Sequence, residues 1–258
     1  MALQKIDGRA IWVVETAPDP QALALHCSLA RHDILLPLVT ELGVAARLCD
    51  LPDHGRSDAW DGRGDYQDAL AQIILALCPP SGHVIAHSYA ATAALRAAVL
   101  SPTVKRLSLI EPVFFAATRG TRAWDAHQAA FAPFAAALEA GDAMTAAGVF
   151  HAMFGEGKWD DLPAPVRASI ARRIGIIPIG APAIEDDVHG LWSSGALSGL
   201  DIPVTLIRGD RTDPVVPAIH DALCRVLPRA TDHVVPGAGH MVPVTHPADV
   251  AAIIRAAG

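Results

Sequence analysis

Short apolar runs alternate along this chain with longer segments in which apolar residues recur at helical spacing. An apolar run bounded by turn residues is typical of a buried strand, and the longer segments are typical of helices that cover a sheet. The alternation predicts an α/β fold with a mostly parallel, doubly wound sheet. A hairpin around Asp7-Gly8 precedes it. The predicted strands are residues 10–14, 21–26, 44–49, 84–86, 104–110, 204–208 and 231–235.

The alternation is interrupted once, between residues 113 and 200. This stretch predicts helices with irregularities: a kink or a split at Pro133, a break at residues 178–182, and a last short helix over residues 184–192. We therefore predict an α/β core comprising residues 1–112 and 201–258, with residues 113–200 inserted as a helical cap, or lid. The insertion contains all six phenylalanines of the chain. Their rings either fill the small core of the cap or line an apolar pocket, and both interpretations stay open.

Composition narrows the functional classes. The chain has 258 residues and a formal net charge of −7, and no basic patch stands out, so we do not expect nucleic acid as a partner. No apolar run has the length of a signal peptide core or a membrane span, so no membrane association is expected. Four scattered cysteines predict reduced thiols in a cytoplasmic protein: Cys27, Cys49, Cys78 and Cys224. No histidine pair has metal-ligand spacing, so neither a metal nor a cofactor is expected.

The strongest candidate for a catalytic residue is Ser88. The predicted strand ending at Ala86 meets an alanine-rich helical segment, and Ser88 falls on the corner between them. A residue on such a corner projects above the sheet edge, beside the free N–H groups and positive end of a helix. Ala86-His87-Ser88-Tyr89-Ala90 is thus a form of the nucleophile elbow G-x-S-x-G, with alanine at both glycine positions. A plain helix N-cap serine is the alternative that these residues leave open.

Two later loops add titratable groups at the same edge of the sheet. Residues 209–217 follow one predicted strand and contain Asp210 and Asp213, and residues 237–243 follow the last strand and contain His240. Glu111 also ends a predicted strand. Because active sites of parallel sheets form at the carboxyl ends of the strands, these groups are expected to approach Ser88.

The order Ser, Asp, His resembles that of the α/β-hydrolase family, in particular its capped, esterase-like members. Residues 52–58 (Pro-Asp-His-Gly-Arg-Ser-Asp) are similar to a family loop, P-G-H-G-x-S-D. The resemblance implies Ser88 as nucleophile, His240 as base and Asp213 as acid, with Asp210 and Glu111 as rival acids. His87 is expected to pack away from the elbow.

The resemblance also implies an oxyanion hole and a substrate pocket. Tyr89 N–H is one expected donor, and the second comes from the loop after the second strand, from Ser28 or alternatively Leu29. That loop departs from the family because Cys27 replaces a glycine. The candidate pocket residues are His26, Phe115, Phe150, Phe154 and Met241.

The implied activity is hydrolysis of a small carboxylic ester or related acyl substrate with an apolar part. The same triad serves C–C bond hydrolases, lactonases and thioesterases, and a non-catalytic binder of a small hydrophobic ligand is a further alternative. Dehalogenase chemistry is disfavoured because that branch has Asp at the elbow. The expected partner is a small-molecule substrate, and formation of a homo-oligomer stays open.

Overall fold

The computed structural model describes residues 1–258 and contains one eight-stranded sheet. The first two strands form an antiparallel hairpin, and the second strand also pairs antiparallel with the fourth; every other pairing is parallel. The sheet order is 1-2-4-3-5-6-7-8, so the predicted mostly parallel sheet is confirmed. The strands are β1 (Ala2–Ile6), β2 (Arg9–Glu15), β3 (Ala22–Leu25), β4 (Ala46–Cys49), β5 (His83–His87), β6 (Arg106–Ile110), β7 (Val204–Gly209) and β8 (Ala230–Val235).

Helices cover both faces of the sheet. In β3, Leu23 and Leu25 join one buried apolar cluster, whereas Ala22 and Ala24 join another. Successive residues of a strand point to opposite faces, so this alternation places a core on each side and gives the doubly wound architecture. The helices are α1 (Leu36–Leu42), α2 (Tyr66–Leu77), α3 (Tyr89–Leu100), α4 (Arg122–Glu139), α5 (Ala143–Phe154), α6 (Ala164–Arg173), α7 (Ile176–Glu185), α8 (Val215–Val226), α9 (Val242–Thr245) and α10 (Pro247–Ala256).

Four helices, α4 to α7, lie between β6 and β7, where the sequence predicts a helical insertion. They have a small apolar core of their own that includes Phe134 and Ile174. Helix α4 is not split at Pro133 but runs continuously through it. The break predicted at residues 178–182 is wrong, because α7 forms there. Pro178 lies in the first turn of α7, where a missing N–H breaks no intrahelical hydrogen bond.

The prediction of a short helix over residues 184–192 is also wrong. After α7 the chain makes turns, and the Asp187 carboxylate accepts hydrogen bonds from the N–H groups of Trp192 and Ser193. None of the ten helices combines the length and the apolar character needed to cross a bilayer.

Candidate active site

Ser88 occupies a strained corner between β5 and α3. Its φ is 60° and its ψ is −122°, a conformation that costs a non-glycine residue about 1–3 kcal/mol. The Ser88 N–H donates to the carbonyl oxygen of Ile110 at 2.8 Å, which ties the corner to β6. Ala86 and Ala90, on either side, are fully buried. The elbow geometry therefore accommodates alanine at both positions where glycine is usual.

His240 lies beside the serine hydroxyl. Its Nε2 is 3.0 Å from Ser88 Oγ, and the imidazole is buried in the turn between β8 and α9. The ring of His87 donates from Nε2 to the His240 carbonyl oxygen at 2.9 Å and so helps to hold this turn. Burial, together with the neighbouring His240, holds the pKa of His87 well below its usual range. His87 is thus a buried, neutral packing residue.

The carboxylate that contacts His240 belongs to Glu111. Its Oε2 is 3.0 Å from His240 Nδ1 and also accepts a hydrogen bond from the Thr212 hydroxyl at 2.5 Å. Its Oε1 accepts from the Gly209 N–H at 2.7 Å. Glu111 is fully buried, and these hydrogen bonds give both of its carboxylate oxygens a partner.

The hydrogen bond that we predicted between Asp213 and His240 is not formed. Asp213 instead accepts from the Val215 N–H at 2.9 Å, in the first turn of α8, and its other oxygen lies 3.5 Å from His127 Nδ1. Burial alone would raise the pKa of Asp213, but His127 and the Val215 N–H outweigh it and lower that pKa below its usual range. The rival Asp210 accepts from the Gly237 N–H and has an exposed side chain.

Two of the three expected oxyanion donors have free N–H groups. Tyr89 is the first residue of α3, so its N–H has no intrahelical partner. The Ser28 N–H forms no hydrogen bond within the protein, and both residues line a cavity at Ser88. The Leu29 N–H is occupied because it donates to His54 Nε2 at 2.8 Å. The prediction that Leu29 is an alternative oxyanion donor is therefore wrong, because its N–H is used to position the loop.

His26 does not line the pocket, contrary to the prediction. It is fully buried; its Nε2 accepts from the Leu51 N–H at 3.0 Å, and its Nδ1 donates to the Cys27 carbonyl oxygen at 2.7 Å. Burial, followed by the proximity of His54, lowers the pKa of His26 to about 3. A neutral His26 thus joins the loop after β3 to the loop after β4.

Two cavities meet at Ser88 and share Phe150 and Phe154 as a wall. One is narrow, about 40 Å³, and extends toward α4 and α7. The other is about 350 Å³ and contacts His240. The predicted pocket residue Phe115 lines the narrow cavity, and Met241 lines the wide one. The narrow cavity is otherwise lined by Tyr66, Val113, His127, Phe131, Ile176, Ile177, Ala181, Ile184 and Glu185, together with Ser28 and Tyr89.

Asp65, Asp68 and His189 form a separate cluster of side chains that could bind a metal ion, but each of them already has a partner in the protein. Asp65 accepts from the Asp68 N–H at 2.9 Å and lies 2.9 Å from His189 Nε2. Asp68 pairs with Arg96 at 3.0 Å. These contacts account for the cluster as a tie between α2, α3 and the turn after α7.

Comparison with known proteins agrees with this geometry. The model of the alpha/beta hydrolase family matches residues 21–253, which is most of the chain. No curated protein matches the chain. With an eight-stranded sheet of this topology and the match over most of its length, the chain belongs to the alpha/beta hydrolase family and is an enzyme of that class.

Solved structures share the fold at low sequence identity. A thermophilic esterase has a TM-score of 0.76 and 17% identity, with 99% of this chain and 95% of the other covered. The thioesterase domain from the curacin biosynthetic pathway has a TM-score of 0.66 and 18% identity, with 98% of each chain covered. A haloalkane dehalogenase loop variant from Bradyrhizobium elkanii has a TM-score of 0.73 and 16% identity, covering 98% and 94%.

Sequence reasoning ranked Glu111 below Asp213 and missed His127 altogether. Glu111 carried one usable signal, an acidic residue followed by proline directly after a buried apolar run. His127 carried none, since a single histidine in an amphipathic helix is ordinary.

Proposed function

We propose that this enzyme is a serine hydrolase of carboxylic esters, with Ser88 as nucleophile, His240 as general base and Glu111 as the acid of the triad. The observation that carries the proposal is the continuous hydrogen-bonded series from Glu111 through His240 to Ser88, with 3.0 Å at each step. Glu111 replaces Asp213 as the acid because it has the contact with His240 Nδ1 that this role requires.

The reaction follows from these contacts. His240 Nε2 takes the proton of the Ser88 hydroxyl as the oxygen attacks the carbonyl carbon of the ester. The imidazolium then gives that proton to the departing alcohol, which leaves an acyl group on Ser88. A water molecule then attacks the acyl group as His240 takes its proton, and His240 gives that proton to the Ser88 oxygen as the bond to the acyl group breaks, which releases the carboxylic acid and restores the serine hydroxyl. Glu111 stabilises the imidazolium throughout and fixes its Nδ1–H, without itself taking the proton.

The developing oxyanion needs donors that are already in place. Tyr89 N–H and Ser28 N–H fill this role in the proposal, because both are unpaired and both residues border the cavity at Ser88. The N-terminus of α3 adds its positive end at the same point. Loss of one such donor costs about 10²–10³ in turnover in other enzymes.

The cavities favour a substrate with an apolar part. Phenylalanine, isoleucine and valine side chains dominate the lining of the narrow cavity, so a short apolar group fits there while the rest of the substrate occupies the wide cavity. In this proposal helices α4 to α7 act as the cap, because they supply most of that lining. The same geometry accepts thioesters and lactones, which differ from esters in the leaving group alone.

An activity-based probe tests the proposal. The wild type, Ser88→Ala and a matched serine control, Ser101→Ala at the far end of α3, are incubated with a fluorophosphonate probe and with short p-nitrophenyl esters. We expect labelling and hydrolysis in the wild type and control, and neither in Ser88→Ala. Equal labelling of Ser88→Ala contradicts the nucleophile assignment. A folded wild type that neither labels nor hydrolyses supports the non-catalytic binder.

A further inference from the structure

Two polar side chains of the narrow cavity have no part in the proposed reaction. Ser28 and Ser88 border the cavity at the catalytic end, while His127 of α4 and Glu185 of α7 border it from the inserted helices. The remaining lining residues are apolar or aromatic, and two of them are tyrosines. The Tyr66 hydroxyl donates to the Pro52 carbonyl oxygen, and the Tyr89 hydroxyl has no partner in the protein. Polar groups in such a cavity orient a ligand, because the apolar contacts around them are non-directional.

His127 is buried without a satisfied hydrogen bond. The residue is 2% exposed and its ring stacks on Phe115, with 4.3 Å between centroids. Its Nδ1 lies 3.5 Å from Asp213 Oδ2 without forming a hydrogen bond, and this buried nitrogen has no other partner in the protein. An unsatisfied buried polar group destabilises the protein, and a ligand with a matching group would recover that loss.

Glu185 borders the same cavity from α7. Its carboxylate is half-buried and forms no ion pair within 4 Å. Burial raises the pKa of Glu185, and the nearby His127, Gln128 and Arg119 oppose that shift.

The cluster offers hydrogen-bond acceptors. Asp213 lies 3.5 Å from the imidazole of His127, Glu185 borders the same cavity as that imidazole, and no lysine or arginine lines the cavity. Ionised carboxylates only accept hydrogen bonds, and the imidazole adds a second kind of polar group to the set. Such a set binds a hydroxyl or an ammonium group and repels an anion.

The cluster is also close to the reacting atoms. The ring of Phe154 lies 5.1 Å from the His240 ring and 6.2 Å from the His127 ring, centroid to centroid. One aromatic ring thus separates the catalytic imidazole from His127. A substrate with a short apolar linker spans this distance.

We propose that His127 and Glu185 form a substrate subsite for a hydrogen-bond donor, a hydroxyl or an ammonium group, carried at the far end of the apolar part of the substrate. This inference rests on the proposed function, because it assumes that the reacting carbonyl lies at Ser88. It assigns the enzyme a preference for hydroxylated or aminated acyl substrates over purely apolar ones.

Ligand-observed NMR titration tests the subsite without turnover. The dissociation constants of 1,6-hexanediol, 6-amino-1-hexanol, 6-hydroxyhexanoate and 1-hexanol are measured for the wild type, His127→Phe and Glu185→Gln. His127→Phe keeps an aromatic ring for stacking, and Glu185→Gln keeps the shape of the side chain. Glu139→Gln, an exposed carboxylate on α4, is the matched control.

We expect the wild type to bind the diol and the amino alcohol more tightly than 1-hexanol, and the carboxylate ligand least tightly. The preference should fall about tenfold in His127→Phe, in line with the loss of one hydrogen bond to a charged or polar partner. Glu185→Gln should weaken the amino alcohol more than the diol. If His127→Phe does not fold, Glu185→Gln alone decides, since its side chain is half exposed.

The same preference in the wild type and both variants would overturn the subsite, as would tighter binding of 1-hexanol than of both donor ligands. Fluorophosphonate labelling of the same preparations separates the two proposals. A donor preference with no labelling of Ser88 retains the subsite and rejects the hydrolase. Labelling of Ser88 without a donor preference supports the hydrolase and rejects the subsite.

Discussion

His240 Nδ1 lies 3.0 Å from Oε2 of Glu111, so the carboxylate that orients the imidazole ends β6 and does not belong to the loop after β7. The Gly209 N–H and the Thr212 hydroxyl hold that carboxylate from the β7 side. Asp213 is thereby released from the imidazole and faces His127. The position of Glu111 thus links the Ser88–His240 contact to the side chains of Asp213 and His127.

Gly180 of α7 packs directly on the ring of Tyr89. A Cβ at position 180 would lie 2.6 Å from Cε2 of that buried ring, so Gly180→Ala must displace either the helix or the ring. Because the Tyr89 N–H is a proposed oxyanion donor, we expect kcat/KM for p-nitrophenyl butyrate to fall about tenfold, short of the loss for a deleted donor. Gly175→Ala is the control, since nothing lies within 4 Å of its added Cβ. Equal activity of the two variants contradicts this role for Tyr89.

Phe150 separates the two cavities at Ser88. It lines both of them, so Phe150→Ala joins the narrow cavity to the wide one. We expect the preferred acyl chain to lengthen, with the kcat/KM ratio of octanoate to butyrate rising about tenfold, within the range that pocket contacts give for a few methylenes. Met144→Ala changes an exposed residue of the same helix and should leave the ratio as in the wild type. An unchanged ratio in Phe150→Ala shows that this wall does not set chain length.

The buried, neutral His26 makes stability depend on pH. Its pKa is lowered to about 3 in the folded protein by burial and by His54, whereas the unfolded chain takes up a proton near the ordinary value of about 6.5. The unfolded state therefore binds more protons between these values, and the free energy of unfolding falls as the pH falls through this window. One such group contributes a slope of up to about 1.4 kcal/mol per pH unit.

Urea denaturation at pH 7, 6, 5 and 4 measures this slope. We expect His26→Gln to be less stable than the wild type at pH 7, because it disturbs the bonds to Leu51 and Cys27, but to lose stability less steeply on acidification. Parallel pH profiles for the two proteins would show that His26 is not the titrating group.

Local sequence signals predicted the sheet, the elbow and the loop that contains His240, because each depends on residues that are neighbours in the chain. Apolar runs of strand length, small residues around Ser88 and a glycine-rich turn before His240 are all visible in the sequence. The cap boundaries and the roles of the site residues stay proposals.

The carboxylate that contacts His240 was harder to predict because Glu111 and Asp213 follow adjacent strands and differ in where their side chains point. The N–H of Val215 draws Asp213 toward α8, while Gly209 and Thr212 hold Glu111 beneath the imidazole. These partners come from different elements, so no local pattern contains them. Helix α7 escaped prediction for a related reason: packing of Gly180 on Tyr89 stabilises a segment whose prolines suggest a break.

The rate of fluorophosphonate labelling in Glu111→Gln and Asp213→Asn tests the triad most directly. Both substitutions keep the size of the side chain and remove its charge, and the folded fraction is measured for each by circular dichroism. We predict that Glu111→Gln slows labelling of Ser88 by about 10⁴-fold, as expected when the orienting carboxylate of a triad is neutralised, while Asp213→Asn slows it less than about tenfold. A folded Glu111→Gln that labels at the wild-type rate, with the large loss appearing in Asp213→Asn, would contradict the account.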